Sequence, residues 1–228
     1  MNIQNSDFTR PRRDPLRVLV ACEFSGTVRN AFLRRGHDAW SCDLQHSDDG
    51  SNRHIIGDAR ELLKDGWDLL LVAHPPCTRL CNSGVRWLKK PPAGRTLAEM
   101  WEELEQGASL FSDFWNAPID RIAIENPIMH KYAKALIRNY QPPAQIVQPW
   151  WFGEPVFKAT GLYLKNLDPL QPTKRLTPPL KGTDEHKAWS KVHRASPGPN
   201  RAKERSRFFI GIADAMADVW GGEVGHHA

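Results

Sequence analysis

Apolar and polar positions along the chain switch repeatedly between a period of two and a period near 3.6, which predicts strands and helices in alternation. VLVAC, after Arg17, is a short β-rich run that breaks at EFSG; TVRNAFLRRG then spaces its apolar residues helically and closes on a glycine. This is strand, tight turn and helix. HDAWSCDL reads as a second strand finishing on Asp43, and IIGDARELLKDG as a third short strand with a helix behind it. WDLLLVAHPPC is almost unbroken apolar, as in a strand buried on both faces of a parallel sheet, and two prolines end it. TLAEMWEELEQGASLFSDFWNA predicts a long amphipathic helix, DRIAIENP a strand, KYAKALIRNY a helix, and AQIVQPWWFG and ATGLYLKNL two more β runs. RFFIGIADAMADVWG returns to helical spacing and is expected to dock back on the sheet. The fold class is therefore α/β, a doubly wound, mostly parallel sheet with right-handed crossovers and helices on both faces.

Two segments stand outside this rhythm. Residues 1–15 carry Pro11, Pro15 and three arginines without periodicity and read as a flexible basic arm. Residues 166–204 are rich in proline and poor in apolar periodicity, and read as a long basic excursion from one domain spanning 1–228. The formal charge of +5 is concentrated here: Gln171 to Arg207 holds ten Lys or Arg against three acids. A clustered basic face attracts phosphate where a scattered one only solvates. The chain shows no run of about 18 apolar residues and no apolar stretch behind its polar start, so a cytoplasmic protein without a membrane partner is expected. Four well-spaced cysteines, Cys22, Cys42, Cys77 and Cys81, read as free thiols in a reducing compartment.

In an open α/β sheet, ligands bind beyond the carboxyl ends of the strands, where helix N–H groups face outward. That rule selects Glu23–Thr27, Asp43, Ala73–Cys81 and Glu125–Pro127. A turn such as EFSG lets a ligand approach the backbone closely, and a carboxylate ending the second strand can accept both hydroxyls of a ribose, so the two suggest an adenosine-containing ligand. In HPPCTRLCNSG two prolines present Cys77 just past the buried strand. A structural buried thiol is the alternative there. A zinc site from His74, Cys77 and Cys81 lacks a second ligand pair in sequence, so no metal is expected. IAIENP sets Glu125 and Asn126 at the same sheet edge, bringing a thiol, a carboxyl and an adenosine pocket into one cleft.

These motifs, in this order and over most of the chain, resemble the DNA cytosine-5 methyltransferases. The resemblance implies a Rossmann-like S-adenosylmethionine-dependent methyltransferase fold. It implies that Phe24, Ser25 and Gly26, with Asp43, Asp58 and Pro75, hold S-adenosyl-L-methionine, and that Cys77 is the nucleophile with Glu125 and Asn126 beside it. FGEPVFKATGLYL is similar to the family's later Gly-x-Pro-Gln-x-Arg-x-Arg strand, which brings Lys158 and Thr160 to the substrate, and GIADAMA is similar to its closing segment; Arg79, with Arg86, Lys89, Lys90 and Arg95 after the cysteine loop, is expected to hold substrate phosphates. Departures are visible. Val156 stands where the family has Gln, Lys158 and Thr160 where it has arginines, and Ile212 and Ala213 interrupt the closing motif. The family inserts a target-recognition domain where only the 39 residues Asn166 to Glu204 are present, too few for an independently folded reader of DNA. Compact relatives of this layout look like phage and prophage proteins, and a second copy or a separate specificity partner would fill the gap.

The chemistry so implied needs a thiolate at cytosine carbon 6, because carbon 5 is too weak a nucleophile to take a methyl group directly. A carboxylic acid at ring nitrogen 3 eases that addition. The target base must be flipped out or single-stranded, with basic residues and Trp189 holding the strand around it. Three other readings stay open. They are a carbon-5 pyrimidine methyltransferase of RNA or free nucleotides, an amino-nitrogen DNA methyltransferase, and a non-catalytic DNA-binding relative. The amino-nitrogen enzyme would want Asp, Asn or Ser before the prolines and an aromatic after them, where this chain has His74 and Cys77.

Overall fold

The computed structural model describes residues 14–190, 192 and 208–222. The arm to residue 13 and the basic residues Lys191, Arg194, Arg201, Lys203, Arg205 and Arg207 lie outside the described residues. Seven strands form one sheet: β1 (Arg17–Ala21), β2 (Asp38–Asp43), β3 (His54–Ile56), β4 (Leu69–Val72), β5 (Arg121–Asn126), β6 (Gln145–Val147) and β7 (Thr160–Lys165), in the order β3-β2-β1-β4-β5-β7-β6. The helices are α1 (Thr27–Leu33), α2 (Leu97–Trp115), α3 (Lys131–Leu136), α4 (Asp184–Trp189) and α5 (Ile210–Met216), the last running on into a π turn over Ala217–Gly221. This is the expected doubly wound α/β, Rossmann-like fold.

The strands pack on both faces because they are apolar on both. Leu19, Ala21, Leu70, Val72, Ile122 and Ile124 join the buried face of α2, while Val18, Val20, Leu69, Leu71 and Ala123 turn the other way toward α1 and α5. α2 starts where TLAE predicts a capping box: Glu99 N–H donates to Thr96 Oγ1 at 3.2 Å, and Thr96 N–H to Glu99 Oε2 at 2.6 Å. α5 docks on α1 through Met216 and Ala213 and is pinned at its rim by Arg34 to Asp214, 2.7 Å, and Arg35 to Asp218, 2.6 Å.

One expectation needs correction. The helix after the third strand is only a 3-10 turn, Ala59–Leu62, held by Asp58 accepting from Arg60 N–H at 3.0 Å; Asp65 and Gly66 follow too soon for a longer helix. Strand β7 is antiparallel to both neighbours. The twelve-residue link from β6 to β7 holds only a 3-10 turn at Pro149–Trp151 and an irregular run, without the helix that usually carries a parallel crossover. The chain therefore turns back on itself. The excursion also contains structure that its prolines hid, the short helix α4, whose Thr183 cap accepts from His186 N–H at 3.2 Å. Among the described residues, no helix is long and apolar enough to cross a membrane.

Candidate active site

The sheet order reverses between β1 and β4, and the carboxyl ends of β1, β2, β4 and β5 meet there. The turn after β1 is organised by Glu23, which the motif reading passes over. Its fully buried carboxylate accepts the N–H groups of Val28 at 2.6 Å and Arg29 at 3.1 Å, donors that the first turn of α1 would otherwise leave unpaired. Burial pushes this carboxyl up to about 7, outweighing the N–H bonds and Arg29. An acid just ahead of a helix with no acid in its first turn was the available signal. Gly26 has φ +71°, and a Cβ there would run into the Arg29 guanidinium. Arg29 is itself buried, donating to Ser41 Oγ at 2.7 Å and paired with Asp49. Ser25 hydrogen-bonds Thr27 Oγ1 at 3.1 Å.

A cavity of about 620 Å³ opens beside this turn. Phe24, Asp43 and Asp58 lie in its wall with Cys22, His74 and Pro76, while Ser25, Gly26 and Pro75 lie outside it. Asp43 accepts from Gln45 N–H at 3.0 Å, and Asp58 is tied to Arg60. Cys22 takes the left-handed conformation, φ +55°, unusual for a residue with a side chain, and so carries the chain from β1 into the turn. His74 Nε2 is buried without a hydrogen-bond partner among the described residues, with the ring 5.5 Å from that of Phe208. Burial, with Lys158 nearby, holds this imidazole well below its usual range, so it is neutral.

Cys77 follows the cavity wall. The backbone turns tightly after it, Leu80 and Cys81 N–H both donating to Cys77 O at 3.0 and 3.1 Å. The loop is then tied to the segment beyond β5. Asn82 N–H donates to Ile128 O and His130 N–H to Leu80 O, each at 3.1 Å, and the His130 ring meets Arg79 O at 2.6 Å. These ties bring Cys77 within electrostatic reach of Glu125, whose carboxylate helps push the thiol up, after the Cys81 hydrogen bond and burial. Glu125 is 7% exposed, and two partners fall on its Oε1: Thr160 Oγ1 donates at 3.0 Å and Lys158 Nζ stands at 3.6 Å. Asn126 donates to Pro127 O at 2.8 Å and keeps Oδ1 buried without a partner among the described residues.

The structure thus gathers Cys77, Glu125, Asn126, Lys158 and Thr160 at one rim, and Phe24, Asp43 and Asp58 in the adjoining cavity. Arg79 turns to α2 instead, its Nε 2.6 Å from Glu103, and stiffens the cysteine loop. Trp189, expected on the strand-binding surface, is buried. Its ring packs 5.3 Å from that of Phe157, and its carbonyl accepts from Phe157 N–H at 2.9 Å. Arg175 stacks over both Trp150 and Trp151, at 5.3 and 5.1 Å. Among the described residues, no three His, Cys, Asp or Glu side chains gather as metal ligands do.

No family model and no curated protein matches the chain. Among the solved structures that it resembles is one described as a structure analysis of Entamoeba histolytica methyltransferase EhMeth. The identity is 14% and the TM-score 0.43, over 72% of this chain and 58% of that one.

Proposed function

We propose that this chain is an S-adenosylmethionine-dependent methyltransferase that modifies carbon 5 of cytosine in DNA through a covalent bond to Cys77. The observation that carries the reading is the line of strand ends along one edge of the sheet: a cavity lined from β1, β2, β3 and β4 that reaches Pro76, a thiol on the next residue, and a buried carboxyl at the end of β5 within electrostatic reach of that thiol. The residues suit the methyl donor. The cavity volume, about 620 Å³, lies inside the range of small-molecule pockets, about 300–1,000 Å³. Phe24 offers an aromatic ring, Asp43 a carboxylate for ribose hydroxyls and Asp58 an acceptor beyond them. When bound, the donor supplies an electrophilic methyl group.

The remaining work falls to the chain's own groups. Cys77 loses its proton to water and its Sγ forms a bond to carbon 6 while the ring electrons move toward nitrogen 3; Glu125, which takes up a proton from solvent as the base binds, delivers it there and recovers it when the ring is restored. Carbon 5 then has the electron density to take the methyl group. Water removes the carbon-5 proton, the bond to Cys77 breaks and the ring is restored. Asn126, fully buried and donating to Pro127 O, would act by fixing the turn that carries Glu125. Lys158 and Thr160, in place of the family's arginines, hold Glu125. The exposed Lys89 and Lys90 beyond the cysteine loop are available to backbone phosphates around an extruded or single-stranded base.

Trapping on an oligonucleotide containing 5-fluorocytosine, with the methyl donor present, tests the reading. The fluorine cannot leave as a proton does, so the wild type is expected to form a stable adduct on Cys77 and Cys77→Ser none. An adduct with Cys77→Ser, or none with the wild type on duplex or single-stranded DNA, would overturn it. Labelled methyl on RNA or on deoxycytidine monophosphate alone would move the activity to that substrate.

A further inference from the structure

Where the structure describes it, the basic excursion is bonded to the link between β6 and β7. Lys174 N–H donates to Trp151 O at 3.1 Å and Leu176 N–H to Trp150 O at 2.9 Å. Its short helix α4 is tied to the same link, Phe157 N–H donating to Trp189 O at 2.9 Å. These bonds fix where the cations of the excursion stand.

The sheet sets which edge that is. β7 is antiparallel to both neighbours, so β6 runs in the direction of β5 and ends at the same edge. Val147 pairs with Thr160 and Asn126 with Gly161, so the end of β6 is level with the end of β5, two strand spacings or about 10 Å away. The Pro149–Trp151 turn therefore begins beside the rim that carries Glu125, and Gln148 Oε1 accepts the N–H of Lys158 at 3.1 Å.

Trp151 packs on the apolar cluster that it shares with α5 and keeps Nε1 buried without a partner among the described residues. Trp150 is half-buried and, among the described residues, joins neither apolar cluster. The two rings meet edge to face, 5.9 Å apart at 88°. Arg175 is exposed and lies over both, and among the described residues no carboxylate pairs with it or with Lys174. Glu154, the acid of the link, is spent on Gly211 N–H at 3.2 Å. An indole left partly in water beside cations with no anion of their own is matched by a base ring, which stacks on indole and guanidinium, and by phosphate.

We infer that Trp150, Arg175 and Lys174 form a platform for unpaired DNA flanking the target base: Trp150 and the Arg175 guanidinium stack a base, and Arg175 and Lys174 take phosphates. This rests on the proposed DNA substrate for its place beside the target cytosine. Stacking accepts any base, so the platform selects unpaired over paired DNA and reads no sequence. It gives the short excursion a task that needs no independently folded reader.

Fluorescence anisotropy of a labelled single-stranded DNA oligonucleotide containing one cytosine, titrated with the full chain from about 50 to about 200 mM salt, tests this. Trp150→Leu should weaken binding about tenfold and leave the salt dependence alone, because stacking releases no counterion. Arg175→Gln should weaken binding and also lower the slope of log affinity against log salt by about 0.7, one phosphate contact on a single strand; Lys174→Gln should lower that slope equally. On a blunt duplex of the same sequence Trp150→Leu should change affinity by less than about twofold. Affinities and slopes equal to wild type in Trp150→Leu and Arg175→Gln would overturn the inference, as would equal losses on duplex and single strand, or a wild type that does not bind the single strand. Arg175→Gln alters an exposed side chain, so its slope decides the matter even if Trp150→Leu fails to fold. Losses confined to an oligoribonucleotide of the same sequence would overturn the assignment to DNA. Neither methyl donor nor Cys77 enters this readout. A chain that binds as expected but is not trapped on 5-fluorocytosine loses the proposed activity and keeps the platform, whereas one that is trapped, with unshifted variants, loses the platform alone.

Discussion

Thr160 Oγ1, on the first residue of β7, donates to Glu125 Oε1 near the end of β5 across 3.0 Å. The antiparallel return of β7 is what makes this contact, since it lays the approach to that strand over the carboxyl edge of β5. Thr160→Val keeps the shape and removes the donor, and is expected to slow methyl transfer about tenfold, the worth of one hydrogen bond to a charged group. Lys158→Met removes a cation and should cost more, about a hundredfold. Incorporation of labelled methyl under single-turnover conditions checks both; rates equal to wild type in the two variants would remove Lys158 and Thr160 from the site.

Asp43 lies in the cavity wall at the end of β2 and is only partly buried, so its loss should spare the fold. Asp43→Ala is expected to weaken binding of S-adenosylmethionine by about tenfold to a hundredfold, with the melting temperature little changed. Calorimetric titration against the wild type measures the first and thermal unfolding the second.

Glu23 carries a pH prediction. Burial raises its carboxyl from 4.5 to about 7 in the folded chain. Between those values the folded state binds more protons than the unfolded one, so the stability from this group is full below about pH 4.5 and is lost as pH rises through about 7. The loss is of the order of 3 kcal/mol at most. Glu23→Gln cannot ionise, so its melting temperature should fall less between pH 5 and pH 7.5 than that of the wild type. Parallel curves for the two proteins would assign no such role to Glu23.

Gly26 and Gly50 both have positive φ, +71° and +63°, but differ in their surroundings. A Cβ at position 26 meets the Arg29 guanidinium, whereas at position 50 nothing lies within 4 Å. Gly50→Ala should cost about 1 kcal/mol from backbone conformation alone, and Gly26→Ala about 2–4 kcal/mol with weaker cofactor binding besides. Urea unfolding midpoints separate the two; equal shifts would show that Arg29 yields freely.

Elements with a strong local pattern were legible in the sequence. The apolar run at Leu69–Val72, the capping box at Thr96 and the helical spacing to Trp115 each specify their structure within a few residues. The candidate residues Cys77, Glu125, Phe24 and Asp43 were visible because loops at strand ends follow from the fold class. What escaped depends on contacts across the chain. The direction of β7 is decided by pairing with β5 and β6, not by TGLYLK itself. Lys158 and Thr160 looked like lost arginines, and only the neighbouring strand reveals that both reach Glu125. Trp189 lay within a charged stretch, and its burial comes from Phe157, 32 positions upstream.

The two backbone rungs that join Leu80 and Asn82 to His130 and Ile128 have a consequence in time as well as in space. The sulfur-bearing segment and the one that follows the carboxyl share these bonds. A fluctuation that separates the two segments must break both rungs, so the motion of one is coupled to that of the other.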